Sequence, residues 1–283
     1  MKSSPRVAMK RKAPAAVAVA AKICGLSDEA ALRAAIEGGA AYLGFVFIPE
    51  SKRAITVDQT LALLQTLPQP TLCRFVTAHP LSSLRGAKAT KQSSDAASAA
   101  QESLMPRGRS ASGSPRSDFV SARDDGNGLV LVALLRDPTD EQVGDILRLK
   151  PLLGLIQLHG SETPQRVAAI RKAAGVPVMK AIAVADKGDL AAVLAYEKVS
   201  DMLLFDTKIG TKSGGTGQRF DWSILKGLKA QKPWMLAGGL NAENVREAIS
   251  VTGAKIVDVS SSVETRTKKD PDKIRIFLAR LSS

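Results

Sequence analysis

Short apolar runs recur along the chain at a nearly constant interval, and a segment with helical periodicity follows each of them. The runs are almost continuously apolar, which is typical of parallel strands that are covered by helices. Measured between the last residues of successive runs, all intervals but one are 23 to 31 residues long, the size of one strand–helix repeat. These last residues are Cys24, Phe47, Leu135, His159, Ile182, Asp206, Ala237 and Ser260. Eight such repeats predict a single (β/α)8 TIM barrel, in which the active site lies where the strands end.

The interval from Phe47 to Leu135 is roughly fifty residues longer than one repeat requires. Within it, residues 79–128 contain mainly Ser, Ala, Gly and Arg and hardly a large apolar side chain, which predicts a low-complexity, disordered insert. The predicted organisation is therefore a basic flexible tail at residues 1–17 and a barrel at residues 18–283, which the insert interrupts.

Because of the insert, the third strand has two candidates, residues 72–76 and residues 129–135. We favour 129–135, since the segment that follows it leads into a helix as a βα loop should. Two capping boxes, in which a threonine and a glutamine three residues later satisfy the first backbone amides, predict helix starts at Thr56 with Gln59 and at Thr139 with Gln142.

Composition agrees with one barrel, because 283 residues with 45% hydrophobic residues can bury a large core. The net charge is +13, but the basic residues are scattered and aromatic residues make up only 4%, so a nucleic-acid partner is not expected. The apolar residues 13–21 are too short to span a bilayer and run into the first strand without a cleavage site. We therefore expect no membrane partner. Cys24 and Cys73 lie in different repeats, which favours reduced thiols in the cytoplasm over a disulfide.

Seven segments in this order resemble the phosphoribosylanthranilate isomerase family of tryptophan biosynthesis. They are Lys22-Ile23-Cys24-Gly25, Tyr42-Leu43-Gly44-Phe45-Val46-Phe47 followed by Ser51-Lys52-Arg53, Gln157-Leu158-His159-Gly160, Leu204-Phe205-Asp206, Gly214-Gly215-Thr216-Gly217, Ala237-Gly238-Gly239-Leu240-Asn241 and Val257-Asp258-Val259-Ser260-Ser261. The resemblance covers about residues 18–72 and 129–281. The chain departs from the family pattern in its insert and at Ser262, where the family usually has glycine in its last phosphate loop.

Two strand ends carry candidate chemistry. Cys24 follows Lys22 on the first strand and lies near a predicted helix start at residues 27–29, which favours a thiolate. The alternative is a small buried core residue, as most free cysteines are. Asp206 follows an apolar strand, which favours a protonated carboxyl able to act as an acid. The alternative for Asp206 is a helix cap or loop anchor.

The resemblance implies an Amadori rearrangement, a sugar isomerisation by general acid and base catalysis. It makes Asp206 the acid that opens the ribose ring and Cys24 the base that removes a carbon-bound proton. Arg53 is implied to bind the anthranilate carboxyl, although a solvated loop arginine is the alternative. No metal or organic cofactor is needed, because the iminium formed on ring opening is itself the electron sink.

The predicted phosphate site is built from loops after three neighbouring strands, where this fold often binds phosphate. Backbone amides and hydroxyls of Gly215, Gly217, Gly238, Gly239, Ser260 and Ser261 would supply its donors. Flexible turns are the alternative for each glycine loop taken alone. We interpret His159 and Gln157 as interior polar packing near the site. The expected partner is a small phosphosugar, bound by a monomer or homodimer.

Two other functions remain possible from the sequence. Another phosphosugar barrel, such as an indole-forming synthase or a ribulose-phosphate epimerase, needs a catalytic lysine or metal-binding histidines at its strand ends. The strand ends here supply cysteine and aspartate instead. A non-catalytic protein, in which the insert prevents barrel closure or serves as a partner-binding arm, is the second alternative.

Overall fold

A computed structural model describes residues 19–75, 128–209, 212–213 and 221–282 of the chain. Within these ranges the strands, in chain order, are β1 (Ala20–Cys24), β2 (Tyr42–Val46), β3 (Val130–Leu135), β4 (Leu153–Leu158), β5 (Val178–Val184), β6 (Met202–Ile209), β7 (Lys212–Ser213), β8 (Trp234–Leu236), β9 (Ile256–Val259), β10 (Glu264–Thr265) and β11 (Lys268–Lys269). Strands β1–β6, β8 and β9 are parallel neighbours in one sheet, and pairing of β5 with β6 closes it. The predicted (β/α)8 barrel is confirmed.

Helices cover the outside of the barrel. They are α1 (Glu29–Glu37), α2 (Val57–Gln65), α3 (Gln69–Leu72), α4 (Asp140–Ile146), α5 (Pro164–Ala174), α6 (Val193–Glu197), α7 (Val245–Thr252) and α8 (Pro271–Ser282). Both predicted capping boxes are present at the starts of α2 and α4. None of the helices in the described ranges is long and apolar enough to cross a membrane.

The third strand is the one favoured from the sequence. β3 pairs with β2 on one side and β4 on the other, whereas the competing segment forms α3 and a single bridge from Phe75 to Leu129. That bridge brings together the two ends of the segment that contains the predicted insert. The insert, apart from Gly128, and the predicted tail at residues 1–17 lie outside the described residues.

Alternate residues of the strands pack into two separate apolar cores. On β1, Ile23 packs outward against the helices, in a core that also contains Phe45 and Phe205. The smaller core fills the barrel and includes Met179 and Leu204. Above it, at the carboxyl ends of the strands, polar or reactive residues such as Cys24, Gln157 and Asp206 lie beside a small apolar cluster, and these residues line the candidate site.

Candidate active site

A cleft of about 140 Å³ opens at the carboxyl ends of the barrel strands. Its lining includes four residues singled out from the sequence: Cys24, Arg53, Asp206 and Ser260. They come from the end of β1, from β6, and from the loops after β2 and β9. Because parallel strands all end at this rim, residues separated by up to 236 positions in the chain meet in one place.

Cys24 lies in an apolar corner of the cleft. Its side chain packs with Val46, Ile48 and Leu134, and the residue is only 5% exposed. This burial raises the pKa of the Cys24 thiol, although the nearby ammonium of Lys22 acts in the opposite direction. The helix start predicted at residues 27–29 is the N-terminus of α1, where the Asp28 carboxylate accepts a hydrogen bond from Ala31 N.

Beneath Cys24, a buried ion pair joins the first and last barrel strands. Lys22 Nζ of β1 lies 3.0 Å from Asp258 Oδ1 of β9, and the Lys22 side chain is fully buried. Burial is the largest single influence and would lower the pKa of Lys22, but the charges of Asp258 and Cys24 and the hydrogen bonds to them together outweigh it, and the pKa is raised. Gly44 of β2 leaves room for the lysine, because a Cβ there would lie 3.0 Å from Lys22 Cε. Lys22 is therefore held as a cation beside the Cys24 sulfur.

Asp206, within β6, is contacted from two sides. Its Oδ1 accepts a hydrogen bond of 2.7 Å from Thr207 N, and His159 Nε2 lies 3.3 Å from its Oδ2. Gln157 Nε2 lies 2.8 Å from the other ring nitrogen of His159. His159 and Gln157 were predicted to be interior packing, and the structure places His159 directly against the candidate acid.

Arg53, in the loop after β2, forms a two-point ion pair with Glu264. Arg53 Nε donates to Glu264 Oε1 at 2.5 Å, and Arg53 Nη2 donates to Oε2 at 3.0 Å. Lys269 donates to Glu264 Oε1 as well, at 2.5 Å, and to the backbone oxygen of Ser260 at 2.8 Å. Glu264 and Lys269 were not singled out from the sequence. The network links Arg53 to the loop after β9.

The loops after β8 and β9 are in direct contact. Gly238 and Gly239 have φ values of +89° and +65°, which favour glycine. A Cβ on Gly238 would lie 2.2 Å from Thr207 Oγ1, so only glycine lets β8 end this close to Asp206. Ser262 Oγ donates to the backbone oxygen of Leu240 at 2.5 Å. At the position where the family usually has glycine, this chain therefore has a side chain that ties the two loops together.

Four residues of the predicted phosphate site are described, namely Gly238, Gly239, Ser260 and Ser261. They lie in the contacting loops after β8 and β9, and Ser260 lines the cleft. Gly215 and Gly217 lie outside the described residues. Among the residues that are described, no group of three or more His, Cys, Asp or Glu side chains is arranged to bind a metal ion.

The sequence matches a family model over residues 83–280, described as N-(5'-phosphoribosyl)anthranilate (PRA) isomerase. The isomerase of Paracoccus denitrificans is 39% identical over 271 residues, which cover 94% of this chain and 99% of that protein. The isomerase of Paramagnetospirillum magneticum is 39% identical over 264 residues, 92% of this chain and 95% of that protein. The chain belongs to the PRA isomerase family. The resemblance seen in its motifs is confirmed, and the chain is an isomerase of tryptophan biosynthesis.

Solved structures of PRA isomerases share the barrel. The Thermotoga maritima enzyme aligns with a TM-score of 0.65 and 26% identity over 93% of this chain and 98% of that one. A PRA isomerase in complex with reduced 1-(o-carboxyphenylamino)-1-deoxyribulose 5-phosphate aligns with a TM-score of 0.62 and the same identity and coverage. Membership of the PRA isomerase family sets aside the two alternative phosphosugar enzymes considered from the sequence.

Proposed function

We propose that this cleft catalyses the Amadori rearrangement of N-(5'-phosphoribosyl)anthranilate to 1-(o-carboxyphenylamino)-1-deoxyribulose 5-phosphate, with Asp206 as the acid and Cys24 as the base. The observation that supports these roles is that both side chains line one cleft while β8 and β9 separate their strands. An acid and a base on different sides of a bound sugar are what the reaction needs. The loops of the intervening strands are then placed to bind the phosphate of the same substrate.

In the first step, Asp206 donates its proton to the ribose ring oxygen. The bond from that oxygen to the anomeric carbon breaks, and the nitrogen lone pair forms an iminium. In the second step, the Cys24 thiolate removes the proton from the neighbouring carbon, and the electron pair of that C–H bond neutralises the iminium as an enolamine. Tautomerisation of the enolamine gives the ketose.

Lys22 and His159 support these two groups in the proposal. Lys22 is a fully buried cation beside the Cys24 sulfur, so it lowers the cost of forming a thiolate in an apolar corner. His159 Nε2 contacts Oδ2 of Asp206, and Thr207 N donates a hydrogen bond to Oδ1. Together these contacts fix the orientation of the Asp206 carboxyl group. Both act on catalytic groups, and neither needs to contact the sugar.

The direct test of the function is turnover of phosphoribosylanthranilate by the purified chain, followed by loss of anthranilate-type fluorescence. We expect turnover that requires no added metal or cofactor. A folded protein, shown by a cooperative thermal melt, that has no turnover would instead support the non-catalytic alternative.

Arg53 is proposed to bind the carboxylate of the anthranilate ring. Replacing it, Arg53→Ala, should raise KM by about ten- to a hundredfold, the equivalent of losing a charge-assisted hydrogen bond of about 1.5–3 kcal/mol. The kcat value should change little, because the carboxylate does not react and is bound alike in the ground and transition states. Steady-state kinetics check this, and an unchanged KM with much lower kcat would mean that Arg53 acts on the chemistry.

The insert at residues 79–128 is proposed to be dispensable, and the tail at 1–17 to lie outside the barrel. Leu129 N donates to Arg74 O at 2.8 Å, so a backbone hydrogen bond already joins the two ends of the segment that contains the insert. A flexible loop costs only about 0.6 kcal/mol for each doubling of its length. Deletion of residues 81–126 should therefore leave a folded, active barrel, measured by thermal melt and turnover.

Limited trypsin digestion tests the same proposal on the intact chain. We expect the first cuts within the insert, since exposed flexible chain is where nicking concentrates, and we expect activity to survive them. The available sites are Arg85, Lys88, Lys91, Arg107, Arg109, Arg116 and Arg123. An insert that resists cleavage, or a deletion variant that precipitates, would make the segment part of the fold.

The remaining properties are also proposals. A phosphosugar ligand agrees with the substrate-related complex of a PRA isomerase. A cytoplasmic location fits a biosynthetic enzyme with two free cysteines, Cys24 and Cys73. The assembly is proposed to be a monomer or homodimer, and the Thermotoga maritima isomerase is described as dimeric. No nucleic-acid or membrane partner is proposed.

A further inference from the structure

The geometry of the Arg53–Glu264 pair determines which edge of the guanidinium remains available. Glu264 accepts hydrogen bonds from Nε and from Nη2, so it occupies the side of the guanidinium. A guanidinium has five N–H donors in a fixed plane. Both N–H groups of Nη1 and one of Nη2 therefore remain, and two of these form the end-on fork that binds a second carboxylate at two points.

Glu264 is itself fixed by several contacts. Lys269 of β11 donates to its Oε1 at 2.5 Å, and Lys273 Nζ donates to its backbone oxygen at 2.7 Å. The short hairpin of β10 and β11 pairs Glu264 with Lys269 along the backbone. Burial would raise the pKa of Glu264, but the hydrogen bonds from Arg53 and Lys269 outweigh it and the pKa is lowered. Glu264 is thus an ionised and rigidly held partner for the arginine.

The two cations of this group differ in how far they are exposed to the cleft. Arg53 and Lys269 carry one positive charge each, and Glu264 cancels one of them. Lys269 is largely buried, with a side chain only 1% exposed, whereas Arg53 lines the cleft with a side chain 23% exposed. Of the two cations, Arg53 is therefore the one that an anionic ligand in the cleft can reach.

Gly25 fixes where this arginine lies relative to the candidate base. Gly25 directly follows Cys24 and has a φ of +85°. A Cβ on Gly25 would lie 2.6 Å from Arg53 Cδ and 3.3 Å from Lys269 Cε, so both side-chain stems pass across the glycine. The guanidinium is therefore held by its stem at one end and by Glu264 along its side.

We propose that Glu264 is a positioning residue that holds Arg53 side-on, so that its end-on fork selects substrates carrying a carboxylate on the aromatic ring. The inference rests on the role proposed above for Arg53. In this proposal the β10–β11 hairpin helps to determine which aromatic group the substrate carries, whereas Asp206 and Cys24 act on the sugar. The opposite possibility is that Glu264 competes with the substrate for the same guanidinium, and it predicts an effect of opposite sign.

The test compares two substrates on each variant: phosphoribosylanthranilate and N-(5'-phosphoribosyl)aniline, which lacks only the carboxylate. Glu264→Gln keeps the size of the side chain but removes its charge and places an amide N–H group towards the arginine. We expect kcat/KM for the carboxylated substrate to fall at least about tenfold, mainly through KM, while the value for the aniline substrate stays nearly constant. The ratio of the two values does not depend on the folded fraction, so a loss of stability alone leaves it unchanged.

A matched control has the same bond geometry away from the cleft. Arg171 Nε and Nη2 donate to the two carboxylate oxygens of Asp201, each at 2.7 Å. Asp201→Asn therefore removes the charge from an equivalent two-point pair, and it should leave the substrate ratio at the wild-type value.

Arg53→Ala separates the inference from the proposed function. A reduced ratio for Arg53→Ala with a wild-type ratio for Glu264→Gln would overturn the positioning role and keep the carboxylate role of Arg53. A substrate ratio for Glu264→Gln above the wild-type value would mean that Glu264 competes with the substrate for Arg53, and it would also overturn the positioning role. A wild-type ratio for Arg53→Ala would remove the carboxylate role of Arg53 and the inference with it.

Discussion

Replacing Cys24 by serine, and separately Asp206 by asparagine, is expected to lower the turnover of phosphoribosylanthranilate by at least about a hundredfold while the barrel stays folded. A serine alkoxide is far harder to form than a thiolate, and the apolar corner formed by Val46, Ile48 and Leu134 adds to that cost. Asparagine keeps the Oδ1 atom that accepts from Thr207 N, but it has no carboxyl proton to donate.

The measurement is kcat and KM for each variant, with a thermal melt to show that the fold is kept. Cys73→Ser is the matched control for the thiol, because Cys73 is a free, exposed cysteine at the end of α3 and does not line the cleft. It should retain wild-type kinetics. Near-wild-type turnover of Cys24→Ser or Asp206→Asn would mean that the role assigned to that residue is wrong.

Lys22→Met is expected to have the largest effect on stability. It leaves the Asp258 carboxylate buried without its cation, and breaking a buried pair in this way costs about 3–5 kcal/mol of unfolding free energy. For a chain of this size that corresponds to a drop in Tm of roughly 6–20 °C. Activity should fall as well, since the cation beside the Cys24 sulfur is lost.

Two further variants make this result specific. Arg275→Ala removes one side of an exposed ion pair with Asp272 and should cost no more than about 1 kcal/mol. The double variant Lys22→Met with Asp258→Leu should recover most of the lost stability, because two apolar residues replace a buried pair at little cost. It should not recover activity. A Lys22→Met variant as stable as the wild type would contradict the proposed energetic role of the pair.

The barrel could be predicted from the sequence because its signal is repeated. Each strand is a nearly continuous apolar run, and its predicted last residue lies within three positions of the observed one. The prediction agrees at Leu135, and the largest difference is at Asp206, because β6 continues to Ile209. The third strand required a choice, and the helix start at Thr139 decided it correctly. Strand ends also pointed to Cys24 and Asp206 as candidates, but position alone left a structural alternative open for each, and their catalytic roles were implied by the family resemblance.

The charged network around the cleft could not be predicted in the same way. Lys22 sits between Ala21 and Ile23, and nothing local tells whether a lysine in an apolar run points inward or outward. Its partner Asp258 lies 236 residues away in the chain, so only closure of the barrel reveals the pair. Glu264 was missed for a related reason, because its importance comes from Arg53, which is 211 residues distant.

The pairing of β1 with β9 has a consequence for the order in which the barrel can fold. β1 is synthesised first among the barrel strands and β9 last, yet they are neighbours, with Ala20 opposite Ile256 and Ile23 opposite Val259. Contacts between such distant parts of a chain form slowly, because a long loop must close before they stabilise anything. Until β9 has been synthesised, Lys22 lacks the Asp258 carboxylate with which it pairs, and an unpaired ammonium is costly to bury. The ion pair beside the Cys24 thiol therefore forms only after β9 is available to pair with β1.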